Sequence, residues 1–346
     1  MAEKYVVIAN KLEIELKKMR AEGNMKLPSE QSLALQNSCS RQTVRAALDL
    51  LQKAGLIEKR TGSGSYIVEE SKKNKTVFLI TEDCDRYLSP ALISGLRSEL
   101  ASSKYVLKAF STMGSSKEEA KVISRAISEK AAALIIEPVR DLIPNANDGL
   151  IEEAMALRIP VIYLNSTEGP YGVVHITPDY RKAGKVLTDH LKDLGRHDIA
   201  CIFCSDSSAG MDEYKGYIGA VPDFDEGRCL LIPHKEEKEI ISGNDDILTS
   251  FAADVLADCD AVICQNGMIC HRLVSLLDKS GRKAPDDIIV ACFDNGYYSS
   301  NDSILSMGYD NDLLCRKLAK TVTALAEGST PKLLVIPVNY ISTLSN

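Results

Sequence analysis

From Thr76 onward, short β-branched runs alternate with amphipathic helical stretches, and this rhythm constrains the fold more than any other feature of the chain. Val77 to Thr81 precedes a helical pattern around Pro90 to Ser102, Val106 to Phe110 one around Lys117 to Glu129, and Ala133 to Glu137 one around Leu150 to Arg158; Val161 to Leu164 closes that half. The rhythm resumes after Asp179, with apolar runs Ile199 to Cys204, Ala261 to Cys264 and Ile288 to Phe293 separated by helices. Such alternation predicts an α/β fold with parallel sheets covered by helices on both faces. The 271 residues from Thr76 to Asn346 are too many for one small doubly wound unit, so two units with a cleft between them are expected.

The chain before Thr76 has a different pattern and the opposite charge. Residues 1–75 carry 14 Lys and Arg against 9 Asp and Glu, a net of +5, while the whole chain is at −7 and the remainder therefore at −12. The polar run Glu69-Glu70-Ser71-Lys72-Lys73-Asn74-Lys75 separates the two parts without apolar periodicity, as a linker would. Tyr5, Ile8, Ala9, Leu12, Leu16 and Met19 recur at helical spacing and form one apolar stripe. After a turn at Gly23-Asn24, Ser29 is the expected N-cap of a short second helix that buries Leu33 and Ala34. Ser40 is the expected N-cap of a third, in which Val44, Ala47, Leu48 and Leu51 face inward and Arg41, Gln42, Thr43 and Arg45 stand near the exposed first turn. Two short helices joined tightly can set the second into the major groove, where its first turn reaches base edges and phosphates. The runs Ile57 to Arg60 and Ser65 to Val68, joined by Thr61-Gly62-Ser63-Gly64, predict a hairpin suited to a wing beside that helix. The helical pattern by itself is equally compatible with a plain three-helix bundle bearing solvated charges.

Other function classes lose ground at this stage. No window approaches the roughly 18 apolar residues of a membrane span, and the first twenty residues are too charged for a secretion signal, so a cytoplasmic protein with no membrane partner is expected. The ten cysteines are scattered through apolar runs and read as reduced core residues. Cys201 and Cys204 form a C-x-x-C, but inside a strand-like run and without a second pair; Cys264, Cys270 and His271 likewise read as core and helix surface, so no metal is expected. In open α/β sheets, ligands bind beyond the carboxyl ends of strands. Asp83, Cys84 and Asp85, Glu137-Pro138, Asn165, Asn266-Gly267 and Asp294-Asn295 stand at such ends. No glycine fingerprint for a dinucleotide, no phosphate loop and no serine elbow accompanies them. Carboxylates without a nucleophile or metal set beside them favour accepting hydrogen bonds from a ligand over catalysis, so neither catalytic residues nor a cofactor are expected.

Leu27-Pro28-Ser29-Glu30, Leu33-Ala34, Ser40-Arg41-Gln42-Thr43-Val44-Arg45, Gly55-Leu56-Ile57 and Gly62-Ser63-Gly64 resemble the winged helix-turn-helix of the GntR family over about residues 4–68. The resemblance implies that Ser29, Ser40, Arg41, Gln42, Thr43 and Arg45 form the DNA-facing helix-turn-helix surface and that Gly62 and Gly64 carry a wing into the minor groove. Gln31, where an Arg is common, and Asn37-Ser38, in place of a Leu-Gly turn, are departures. Across most of residues 76–346, Asp179 with Ala183-Gly184, Leu191-Lys192-Asp193-Leu194-Gly195-Arg196, Lys215-Gly216-Tyr217, Cys264-Gln265-Asn266, Pro285-Asp286-Asp287-Ile288 and Phe293-Asp294-Asn295 resemble, in order, the periplasmic-binding-protein-like effector domain of LacI-type repressors. The joining of these two parts, and Leu134-Ile135-Ile136-Glu137-Pro138, resemble the arabinose-repressor group.

The resemblance implies a homodimeric transcription factor, usually a repressor, reading a two-fold operator in double-stranded DNA. A small effector, commonly a sugar, closes two lobes and alters operator affinity, which requires it to distinguish open from closed states. The implied boundaries are 1–68 for the reader, 69–75 for the linker and 76–346 for the effector and dimerisation domain. One lobe would comprise about 76–177 and 309–327, the other about 178–308 and 328–346. The positions that match family ligand residues are Tyr87, Glu137, Asn165, Asp179, Asn266, Asp294 and Asp310. Glu213 stands where the family usually places a ligand-gripping Arg, and Gly267 where an Asp usually follows the Asn. Convergence of Glu137, Glu213, Asp294 and Asp310 would make an acidic pocket, which argues against arabinose itself. The expected order is a neutral polyol or sugar, then an amino sugar or other cationic metabolite, then an anionic effector. An enzyme domain fused to a DNA reader, or a purely structural DNA-bridging dimer, are the competing classes.

Overall fold

The computed structural model describes residues 4–68, 74–85, 89–142, 145–293, 298, 303–329 and 340–342. Helices α1 (Lys4–Ala21), α2 (Glu30–Gln36) and α3 (Arg41–Lys53) come first, followed by the hairpin β1 (Ile57–Arg60) and β2 (Gly64–Ile67). The stripe on α1 packs where its spacing requires: Ile8, Ala9, Leu12 and Leu16 are buried against Leu33, Val44, Leu48 and Leu51 in one small core. Burial of each such leucine removes it from water for about 1.5–3 kcal/mol. The connection between α2 and α3 keeps its tight geometry although no glycine is present. Ser38 takes φ 46, and Asn37 Nδ2 donates to Leu33 O at 2.9 Å, a second bond to a carbonyl that also accepts from the Asn37 amide at 3.1 Å.

Two sheets follow. The first has five parallel strands in the order β4 (Val106–Ser111), β3 (Thr76–Thr81), β5 (Ala133–Ile136), β6 (Val161–Leu164) and β7 (Val174–Ile176). The second has the order β13 (Tyr340–Ser342), β12 (Ile304–Tyr309), β11 (Ile289–Cys292), β10 (Ala261–Cys264), β8 (Ile199–Cys204) and β9 (Cys229–Ile232). All neighbours in it are parallel except β13, which runs antiparallel to β12. Strands β5, β6, β8 and β10 are buried along their whole length, which is why they read as continuous apolar runs rather than alternating ones. The expected fold class is the one observed: two parallel-sheet α/β units preceded by a small helical domain with a hairpin.

Helices α4 (Ser89–Ser102), α5 (Ser116–Ser128) and α6 (Asp148–Ala156) follow β3, β4 and β5. On the second sheet lie α7 (Tyr180–Asp193), α8 (Ser208–Ile218), α9 (His234–Ser242), α10 (Asp246–Asp254) and α11 (Gly267–Lys279). The last helix, α12 (Asn311–Ala326), returns to the first sheet, where Leu314, Cys315, Leu318 and Val322 join Leu96 and Leu100 of α4. The chain therefore crosses between lobes after β7, after β12 and a third time between α12 and β13. Asp179 and Asp310, the N-caps of α7 and α12, stand at the first two crossings.

The motif pairs Ala183-Gly184 and Gly216-Tyr217 are two sides of one helix contact. A Cβ on Gly184 would lie 2.1 Å from Glu213 O, and one on Gly216 would lie 2.1 Å from Arg181 O. Neither position has room for a side chain, so α7 and α8 approach backbone to backbone. Tyr217 locks the pair down by donating to Ile199 O at 2.7 Å from full burial.

Candidate functional site

At the reader, both predicted caps form. Ser29 Oγ accepts from the Ser32 amide at 3.2 Å, and Ser40 Oγ accepts from the Thr43 amide at 3.1 Å. Each satisfies a donor that the first turn of its helix would leave open. Ser40 and Thr43 also share a hydroxyl hydrogen bond of 2.7 Å. Arg41 and Gln42 are exposed on the first turn of α3, beside a cavity of about 280 Å³ lined by Lys4, Tyr5, Ser40, Gln42, Thr43 and Ala46. Arg45 is engaged within the protein: its Nε and Nη2 donate to the two oxygens of Glu30 at 3.3 and 2.9 Å. That fork ties α3 to α2, and its hydrogen bonds hold the Glu30 carboxyl below the usual range. A phosphate near Arg45 would have to compete with Glu30.

In the hairpin, Gly62 (φ 72) and Gly64 (φ 112) adopt left-handed backbone that a side chain would strain. Beside them, Arg60 lies over the Tyr66 ring at 4.3 Å and Lys26 at 5.6 Å, while Ser63 Oγ and Tyr66 OH are 2.6 Å apart. Tyr66 was not singled out in the sequence, where it looks like any outward residue of a short strand. In three dimensions it organises two cations at the base of the wing.

In the larger part, polar residues at three strand ends of the first lobe meet. Glu137, just after β5, accepts from Thr81 Oγ1 at 2.5 Å and from Asn165 Nδ2 at 2.9 Å. Asn165, just after β6 with φ 57, accepts at its other end from Tyr180 OH at 3.1 Å. Of the sequence-predicted ligand positions, these two are brought into direct contact. Asp179 caps α7 by accepting from the Lys182 amide at 3.0 Å, and Asp310 caps α12 by accepting from the Leu313 amide at 2.8 Å. Asn266 caps α11 through the Ile269 amide at 3.1 Å and donates to Glu237 at 2.5 Å. Glu213, in place of the familiar Arg, is only 2 % exposed on the face of α8 against α7. Tyr87 and Asp294 lie outside the described residues, as do residues 69–73 of the predicted linker.

The two lobes touch through groups that were not predicted. Asp141 of the first lobe accepts from the Ser208 amide at 3.1 Å and from the Ser208 hydroxyl, at the amino end of α8. Glu82, the residue after β3, faces two cations of α9: Lys238 Nζ at 2.5 Å and His234 Nε2 at 3.2 Å. Burial opposes ionisation of Glu82, but the hydrogen bonds from His234 and Lys238 prevail and bring its carboxyl down to about 2. His234 is pushed up to about 12 by hydrogen bonds with Cys204, Glu237 and Glu82, against the opposing effect of burial. An ionic bridge therefore spans the cleft near neutral pH.

The C-x-x-C cysteines are free thiols buried in β8. Cys204 instead meets residues distant in sequence: its sulfur, a His234 ring nitrogen and a Glu237 carboxylate oxygen lie within 4.8 Å of one another. Among the described residues this is the one group of His, Cys and carboxylate side chains that could hold a metal ion.

A capped recognition helix with a glycine wing, followed by two sheet lobes that bring polar strand ends to a shared cleft, defines an effector-responsive DNA-binding regulator. The chain belongs to the family described as periplasmic binding proteins and sugar binding domain of the LacI family, matched over residues 73–307, and its first part matches the bacterial regulatory proteins of the gntR family over residues 4–67. It is 29% identical over 279 residues to an arabinose metabolism transcriptional repressor of Geobacillus stearothermophilus, covering 78% of this chain and 76% of the relative. A repressor of the same description from Halalkalibacterium halodurans is 26% identical over 286 residues, covering 79% and 76%. Among solved structures, the transcriptional regulator CelR in complex with cellobiose superposes with a TM-score of 0.66 at 16% identity, covering 91% of this chain and 98% of that one. A LacI-type regulator from Alkaliphilus metalliredigens complexed with D-xylulofuranose gives 0.65 at 17% identity, covering 79% and 100%. These structural likenesses support the fold. The relatives are transcriptional regulators, and no described helix is long and apolar enough to cross a membrane.

Proposed function

We propose that the chain acts as a homodimeric repressor of a two-fold operator, and that a neutral sugar or polyol in the cleft alters its grip on DNA. The observation that carries the reading is the Glu137–Asn165 pair with Thr81 and Tyr180: charged and neutral acceptors beside hydroxyl and amide donors, gathered at strand ends that face the second lobe. Hydroxyls of a polyol both donate and accept, so they match a mixed set of this kind. The repressors of arabinose metabolism and the cellobiose- and xylulofuranose-bound neighbours support the same substrate class. The division of labour we propose is 1–68 for DNA, 69–75 as linker and 76–346 for effector and dimer contacts. DNA contacts are assigned to Ser29, Ser40, Arg41, Gln42, Thr43, Arg45, Gly62 and Gly64, and effector contacts to Glu137, Asn165, Asp179, Glu213, Asn266 and Asp310, with Tyr87 and Asp294 completing the set. Asp179 and Asp310 serve at the crossings, where their capping bonds make them sensitive to lobe rotation. A calorimetric screen of the full chain against sugars, polyols, amino sugars and sugar phosphates tests the ordering. Saturable binding of a neutral sugar supports it, whereas tight binding of a phosphorylated sugar alone overturns it.

A further inference from the structure

Cys204, His234 and Glu237 come together because three elements end at one place. Cys204 is the last residue of β8, His234 is the first of α9 immediately after the neighbouring strand β9, and Glu237 is one helical turn further on. Histidine and glutamate at i and i+3 share a helix face, so two ligands come from one rigid turn and the third from a buried strand end. The mutual separations, all within 4.8 Å, are near what a tetrahedral ion needs: bonds of about 2.0–2.3 Å to nitrogen, oxygen and sulfur set ligand atoms roughly 3.3–3.8 Å apart. A contraction of about an ångström at the widest pair suffices.

The surroundings have the form that metal sites use. His234 Nδ1 is 2.8 Å from Glu237 Oε2, which makes it the nitrogen that faces the cluster. The opposite nitrogen, Nε2, rests on the Glu82 carboxylate at 3.2 Å. A carboxylate on the far ring nitrogen fixes the orientation of a ligating histidine and raises its basicity. Asn266 holds the other oxygen of Glu237 at 2.5 Å, and Asp206 Oδ1 accepts from both the Cys204 thiol at 3.1 Å and the His234 amide at 2.7 Å. Two carboxylates thus hold the two nitrogens of one imidazole, and a third, Asp206, holds the thiol and the backbone beside it, an arrangement that favours positive charge at its centre. His234 is half-buried, which gives an ion a route from solvent.

We propose that Cys204, His234 and Glu237 bind a borderline divalent transition-metal ion, zinc by the chemistry of the set, and that Glu82 of the opposite lobe couples this ion to cleft closure. On binding, the ion takes the thiol sulfur, the Nδ1 nitrogen and a Glu237 oxygen. The thiol proton and the Nδ1 proton pass to solvent, and no electron changes hands. The fourth position is left for a water. Glu82 keeps its bond to Nε2 only while the lobes face each other as observed here, so ion binding favours that arrangement.

The test uses the full chain stripped with a chelator and titrated with cobalt(II), then with zinc in competition. One equivalent should produce a thiolate-to-cobalt charge-transfer band that zinc abolishes. Cys204→Ser should remove the band, while Cys84→Ser, a half-buried thiol elsewhere, should retain it. His234→Asn and Glu237→Gln should each lower zinc affinity at least tenfold, and Glu82→Gln should lower it by about 10- to 100-fold, as loss of such an outer partner does. Melting curves without metal identify a variant that has lost its fold; His234→Asn, at a half-buried position, serves if Cys204→Ser does not fold. Absence of the band in the wild-type chain, its persistence in Cys204→Ser, or unchanged zinc affinity in a folded His234→Asn overturns the assignment.

Discussion

Replacing Gly184 by alanine isolates the contact that holds α7 against α8. The new Cβ would sit 2.1 Å from Glu213 O and 3.0 Å from Glu213 C. Carbon and oxygen do not pack much closer than about 3.2 Å, so the two helices must separate locally by about 1 Å or bend. The clashing atoms belong to backbone, and rotamer changes cannot relieve them. Overpacking of a tight core costs about 1–3 kcal/mol, and this site belongs at the upper end. For a unit the size of the second lobe, about 3 kcal/mol lowers Tm by roughly 6–12 °C. Gly149, near the start of α6, is the control: its Cβ would meet nothing within 4 Å. There the substitution reduces the entropy of the unfolded chain and should raise stability by up to about 1 kcal/mol. Thermal melts followed by near-ultraviolet circular dichroism distinguish the two. A Tm for Gly184→Ala within a degree or two of the wild type would mean that this motif is not a close backbone contact.

Arg41→Ala should weaken operator binding and lower the salt slope by about one per lost phosphate contact, read by fluorescence anisotropy at several salt concentrations. Arg45→Ala should do the same, and Glu30→Gln, which frees Arg45 from its fork, should tighten DNA binding; weakening in Glu30→Gln would mean that the fork itself positions the helix. Glu137→Gln and Asn165→Ala should each reduce sugar affinity by tenfold or more in calorimetry while leaving the melt of the unliganded chain within a few degrees. Asp141→Ala removes a charge-assisted hydrogen bond between the lobes that contributes about 1.5–3 kcal/mol. It should shift the unliganded chain toward open forms by tenfold or more, visible as a larger radius of gyration in X-ray scattering.

The parts of the fold that were legible in the sequence are those whose pattern is local. Buried strands such as β8 read as apolar runs because both faces are covered, and Ser29 and Ser40 could be recognised as caps because capping is settled within three residues. Strands β7, β9, β12 and β13 were not anticipated. β7 and β13 have only three residues, and the edge strand β9 is only partly buried; β12 has six residues, four of them buried, but Ser306 and Gly308 interrupt its apolar run. Missing β9 also hid the start of α9, and with it His234, Glu237 and Lys238. The partners of these residues, Glu82 and Cys204, are distant in the chain, and no spacing rule connects them. Asn165 and Glu137 were identified singly as strand-end residues; their hydrogen bond depends on β5 and β6 being neighbours, which the order of elements implies but does not measure. Asp179 and Asp310 show the converse. Their positions at lobe crossings were legible, yet their carboxylates are engaged in capping.

The proposed control of the basic reader by a small polyol in the cleft is open to direct measurement. The most direct measurement selects bound sequences from random duplex DNA with the full chain. It then compares affinity for the selected site with and without a saturating amount of the sugar that binds most tightly in calorimetry. A two-fold symmetric site is expected, with a change in affinity of at least tenfold when the sugar is present. Equal affinity with and without a demonstrably bound sugar would contradict that control.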